Sequence, residues 1–222
     1  MDFTHNFCES RLNEFKSPEI WNSYSALVIS IIPFLFKTPL AHELINVKYL
    51  LIFNGIGSFI YHYYLNWLGK HLDEISMILC NYFGINYLLN IYFLNNTLTK
   101  NKKDFLKTIN LYFCVLFTSL NTLPNLDYLF PNLFAVYLIP TIYLIYYICN
   151  NFDINKHFIY FSLGTSSIGV VSWIISENYC TEFTKYGHVI WHLLFPFGFY
   201  RVIDYLDGKF NKNCTDFIKI DL

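Results

Sequence analysis

The chain has 222 residues, 55% of them hydrophobic, 21% aromatic and only 14% charged, where a soluble domain carries about a quarter charged. Its net charge of −1 gives no electrostatic basis for binding nucleic acid, and its excess of Phe, Tyr, Ile and Leu excludes an ordinary water-soluble fold. The composition indicates an all-α, multi-pass membrane protein.

The first nineteen residues are polar, with Asp2, Glu9, Arg11, Glu14, Lys16 and Glu19, unlike a cleavable signal peptide. Seven apolar segments follow, at 20–36, 47–68, 72–94, 104–123, 128–149, 157–176 and 186–206, each about the length that crosses a bilayer. Pro33, Pro140 and Pro196 fall inside them, where packed neighbours tolerate a kink. The expected organisation is a polar segment over 1–19, a seven-helix bundle over 20–206 and a polar tail over 207–222.

Seven spans place the termini on opposite sides. Arg11, Lys16, Lys70 and Lys185 then lie on the N-terminal side, and the other eleven of the fifteen basic residues on the C-terminal side. The positive-inside rule predicts a cytoplasmic C-terminus and a luminal or extracellular N-terminus.

The stretch 54–77 carries polar residues into these apolar segments. Ionisable groups at membrane depth are costly and by default point to function. Ser58 and His62 are four residues apart, on one helical face, and Asp73 follows across a turn expected at Gly69. His188 and His192 repeat the four-residue spacing at the start of the last span, a recurrent way of gripping zinc. The structural alternative for that pair is interfacial histidines hydrogen-bonded to loops. His62 and His192 are each expected about six residues from the luminal face, ~9 Å deep at ~1.5 Å per residue, with Asp73 just above them. Three histidines at one depth match the open coordination of a catalytic zinc. Asp73 is the expected acid–base group and Ser58 the expected donor to an oxyanion. Helix packing within Gly55-Ile56-Gly57-Ser58 and a helix-start acidic pair are the structural alternatives for Ser58 and for Asp73-Glu74.

The motifs Gly57-Ser58-x-x-x-His62, Asp73-Glu74-x-x-Met77 and Gly187-His188-x-x-x-His192 resemble those of the alkaline ceramidases, in the CREST superfamily of membrane hydrolases. Cys8-Glu9 and Glu19-Ile20-Trp21-Asn22-Ser23-x-Ser25 resemble further elements of that family. The resemblance implies seven helices, zinc on His62, His188 and His192, catalysis by Asp73 and Ser58, and hydrolysis of a ceramide amide to a sphingoid base and a fatty acid. It also favours a Cys8–Cys180 disulfide, both cysteines lying on the predicted luminal side.

The family's calcium site is altered here. Asn6, Phe7 and Arg11 replace its Asp, Trp and Asn, which leaves Asn6, the Phe7 carbonyl, Glu9 and Glu19 as a weakened candidate set for Ca2+, with Arg11 as a substitute charge. Lys70 and Ser76 also depart from the family pattern. Cys80 and Cys114 read as apolar fillers and Cys214 as a free thiol.

The expected partners are a ceramide-like substrate and membrane lipids, with no nucleic acid, in an endoplasmic reticulum or Golgi-type endomembrane. A receptor or scaffold resembling adiponectin-receptor-like proteins is the alternative; the short N-terminus and the lysine asymmetry argue against it.

Overall fold

The computed structural model describes residues 7–211 apart from 15, 17, 124 and 125. The fold is all-helical, 84% helix with no strand among the described residues. In chain order the helices are α1 (Cys8–Leu12), α2 (Ile20–Ile31), α3 (His42–Tyr64), α4 (Trp67–Asn95), α5 (Lys100–Thr122), α6 (Phe130–Asn151), α7 (Lys156–Asn178) and α8 (Tyr186–Phe210). Short 3-10 turns at Ile32–Phe34 and Asp127–Leu129 follow α2 and precede α6.

Each apolar segment expected from the sequence is occupied by a helix, with ends displaced by a few residues. Four of them, α3, α4, α6 and α7, are long and apolar enough to cross a membrane. Helix α5 opens on Lys100, Lys102, Lys103, Asp104 and Lys107, and α8 is diluted by His188, His192 and Arg201; neither reaches that apolarity. Helix α7 turns Phe161, Ile168, Val171 and Ile174 outward, a face that suits lipid better than water.

The α3–α4 turn lies earlier than the sequence suggested. Leu65 takes a left-handed φ of 48°, which ends α3, and Asn66 Oδ1 accepts the Gly69 N–H at 2.7 Å, which starts α4. Gly69 is therefore inside α4. Its value is its missing side chain, since a Cβ there would run into the backbone of Ile60 and Tyr61.

The chain divides into two compact units. The first comprises Met1–Thr38, Leu51–Asp73 and His157–Asp204, and the second Pro39–Leu50, Glu74–Lys156 and Tyr205–Leu222.

In the first unit, helices approach through small residues. A Cβ on Gly55 would meet the backbone of Ala26 and Ser30, and one on Gly57 the backbone of Leu72 and Asp73. Gly187 and Gly198 give α8 the same closeness to Ser172 and Ser162 of α7. Where lipid removes the hydrophobic drive between helices, such contacts and polar bonds hold a bundle together.

The second unit supplies the polar bonds. Asn81 donates to the Tyr137 carbonyl at 2.7 Å and accepts from the Thr141 hydroxyl at 2.6 Å, while Tyr137 Oη donates to Asn110 Oδ1 at 2.8 Å. These bonds join α4, α5 and α6. The Asp207 carboxylate takes the backbone N–H groups of Leu40 at 2.7 Å and Ala41 at 3.2 Å, just ahead of α3.

The packing predicts a contrast between two glycines. Gly198→Val should lower the melting temperature sharply in detergent, because its Cβ would strike the Ser162 carbonyl. Gly164→Ala, with nothing near the new Cβ, should hold or raise it by up to about 1 kcal/mol of helix propensity. Equal melting temperatures for the two variants would contradict the close α7–α8 approach.

Candidate metal centre

Two helices in the first unit bring three imidazoles together. His62 lies in the last turn of α3, and His188 and His192 lie one turn apart near the start of α8. Ring centroids are 5.0 Å apart for His62–His188, 5.4 Å for His62–His192 and 4.7 Å for His188–His192. All three are buried. Among the described residues this is the one grouping of His, Cys, Asp or Glu close enough to share an ion, with ligand atoms within 4.8 Å of one another. Zinc–nitrogen bonds of about 2.0–2.1 Å put the nitrogens of a filled tetrahedral site about 3.3 Å apart. A small inward adjustment of the rings would bring this cluster to that spacing, so its donor set fits a divalent ion with one open position.

Each imidazole has a polar neighbour at Nδ1. His62 Nδ1 meets Glu19 Oε2 at 2.5 Å, and His192 Nδ1 meets Ser25 Oγ at 2.8 Å. His188 Nδ1 stands 3.6 Å from Glu177 Oε1. The Phe7 ring covers the group, 5.2 Å from His62 and 4.6 Å edge-on from His188.

Asp73 lies deeper than expected. The earlier turn makes it the seventh residue of α4, so it has descended past His62 rather than sitting above it. Asn54 Nδ2 holds it there, donating to its carbonyl at 2.9 Å and to Oδ1 at 2.7 Å. Asp73 is half-buried and within charge range of His188. Ser58 is fully buried, with its hydroxyl beside the Asp73 carboxyl. Asn54, Ser58 and His62 thus form a polar stripe at four-residue spacing along α3. Lys70 is buried in the first turn of α4.

The described residues among those expected to hold calcium also bond to protein groups. Asn6 lies outside the described residues. The Phe7 carbonyl accepts the Arg11 N–H at 3.0 Å in the one turn of α1. Glu9 accepts the backbone N–H groups of Trp21 and Asn22, both at 2.9 Å, and so caps α2. Burial pushes the Glu9 carboxyl above its usual range, against the pull of those two N–H groups. Glu19 accepts from the Ser10 hydroxyl, from Asn22 Nδ2 and from His62. These oxygens accept hydrogen bonds from protein groups around the start of α2. Arg11 points elsewhere, donating to the Glu177 carbonyl at 2.7 Å and its carboxylate at 3.3 Å.

The Cys8–Cys180 disulfide is present and ties α1 to the segment between α7 and α8. Cys80, Cys114 and Cys149 are free thiols, and Cys214 lies outside the described residues. Asn54, Glu177 and Ser25 had no assigned role from the sequence. The spacing of Asn54 from Ser58 could have found the first, and an acid at the end of an apolar span the second.

A helical, membrane-type chain that buries convergent imidazoles beside an aspartate and a serine defines a class of proteins with a polar site inside the bundle. The chain belongs to the ceramidase family, whose family profile matches residues 2–211. It is 26% identical over 216 residues to alkaline ceramidase 1 of Homo sapiens, spanning 87% of this chain and 79% of that protein.

Non-reducing peptide mapping should recover Cys8 linked to Cys180, with Cys80, Cys114 and Cys149 alkylated only after denaturation. Cys180→Ser should cost about 2–4 kcal/mol of stability. An unlinked Cys8 in native protein would contradict the attachment of α1.

Proposed function

We propose that this chain is a zinc-dependent ceramidase, which cleaves the amide of ceramide-type N-acyl sphingolipids to a sphingoid base and a free fatty acid. The observation that carries the proposal is the convergence of His62, His188 and His192 in a ceramidase-family chain. Zinc on those residues would act as a Lewis acid toward the carbonyl and would lower the pKa of a water, giving a nucleophile near neutral pH.

The chain's own groups divide the rest of the work. The hydrogen bond from Asn54 anchors one oxygen of Asp73 and leaves the other for proton transfer. Asp73 accepts a proton as water oxygen bonds to the amide carbon, and passes it to the nitrogen as the C–N bond breaks. The products are then a carboxylic acid and an amine. Ser58, fully buried beside the Asp73 carboxyl, donates to the carbonyl oxygen as negative charge gathers there.

In this reading all seven long or apolar helical segments cross the membrane, with residues 1–19 luminal or extracellular and 207–222 cytoplasmic. The Cys8–Cys180 bridge supports that orientation, since disulfides persist in oxidising compartments. The setting is an endomembrane of the endoplasmic reticulum or Golgi type, and the acyl chain enters from the surrounding lipid.

Purified full-length protein should hold one zinc and release fatty acid from at least one member of a ceramide panel. His188→Ala should lose both zinc and turnover. Asp73→Asn should keep its zinc and lose about 10²–10⁴-fold in rate, the usual worth of a positioned acid–base group. Full turnover by a metal-free His188→Ala protein would overturn the mechanism.

A further inference from the structure

The partners of the three imidazoles form a pattern that ligand spacing alone does not require. A neutral imidazole has one N–H and one lone pair, so whatever engages Nδ1 decides whether Nε2 is free to bind an ion. At His62 the Nδ1 side is taken by the buried Glu19 carboxylate. At His192, Ser25 Oγ lies 2.8 Å from Nδ1 and 3.1 Å from the Asn22 carbonyl; with its proton on that carbonyl it accepts from Nδ1–H and leaves Nε2 with the lone pair. At His188, Nδ1 and Glu177 Oε1 are both buried, both without a hydrogen-bond partner, and 3.6 Å apart. A small ring movement closes that gap into a bond.

We infer that Glu19, Glu177 and Ser25 are positioning residues, which hold His62, His188 and His192 in the Nδ1–H form with Nε2 turned toward a shared metal. The inference rests on the zinc reading above and adds what makes the cluster bind. Ligating histidines generally donate their second N–H to a carboxylate or other acceptor, which fixes the ring and raises its basicity.

The surroundings of Glu177 support the assignment. Its Oε2 accepts from the Cys8 N–H at 3.1 Å and from Arg11 at 3.3 Å, so that oxygen is fixed while Oε1 points at His188. Helix α1 and its disulfide thus set the carboxylate, and the carboxylate sets the histidine. Glu19 is built in likewise: its backbone N–H donates to the His62 carbonyl at 3.0 Å while its side chain holds the same residue's ring. One residue thereby fixes both ends of His62.

A purely structural role would alter folding stability without altering metal affinity, and this separates the alternatives. Zinc affinity of the detergent-purified full chain is measured by chelator competition for wild type, Glu177→Gln, Ser25→Ala and Ser25→Thr. The melting temperature of each is recorded in excess chelator. Glu177→Gln and Ser25→Ala should each weaken zinc about 10–100-fold, the usual cost of losing such a partner. Ser25→Thr, which keeps the hydroxyl, should stay close to wild type. Glu19→Gln, at the most buried position, should behave as Glu177→Gln does; if it does not fold, the other two variants carry the test. Zinc affinities of Glu177→Gln and Ser25→Ala within twofold of wild type overturn the positioning role, even if their melting temperatures fall. A wild-type chain that takes up no zinc at all overturns the zinc reading itself, and this inference with it.

Discussion

Three imidazoles buried at one end of an apolar bundle impose a condition on everything around them. A polar group removed from water without a partner costs about 1–3 kcal/mol, more if it is charged. Each ring nitrogen therefore needs a hydrogen-bond partner or a metal. Glu19 and Ser25 meet that need for His62 and His192, and Glu177 stands ready to meet it for His188. Those acceptors have to be held in turn. Glu9 caps α2, where Ser25 resides, and α1 brings Arg11 and the Cys8 N–H to Glu177. The residues that resemble a calcium site are, in this chain, the support of the histidine cluster.

Close helix approach makes the arrangement possible. Gly57 lets the Leu72–Asp73 backbone lie against α3, so that Asp73 comes within reach of Asn54 and beside Ser58. A side chain at Gly57 would push that segment away and take the acid out of the site. Gly57 and the placement of Asp73 are consequently one feature. In the second unit Asn81, Asn110, Tyr137 and Thr141 pair their polar groups with one another across α4, α5 and α6.

Much of this was legible in the sequence, because its strongest signals are local. Length and apolarity located the helices, and four-residue spacing put Ser58 with His62 and His188 with His192. The convergence of the two histidine sets followed from counting residues along helices. The turn was misplaced because Gly69 looked like a breaker, whereas Leu65 takes the left-handed conformation and Gly69 serves packing. That shift of a few residues moved Asp73 from above the histidines to a level below His62. The family resemblance offered Glu19 as a calcium ligand; its contact with His62 is set by tertiary structure, and nothing local marked that partner. Glu177 was invisible for the same reason: its meaning depends on Arg11 and His188, which lie far from it or on another helix.

The central claim is that the histidine cluster is an open metal site whose ligands are three imidazoles and no thiol. X-ray absorption at the zinc edge of the purified full-length chain tests it most directly. The account predicts one zinc per chain, with three imidazole nitrogens at about 2.0–2.1 Å, one further light atom and no sulfur. Sulfur in the coordination shell, or a chain that folds and hydrolyses ceramide with no bound metal, would contradict it.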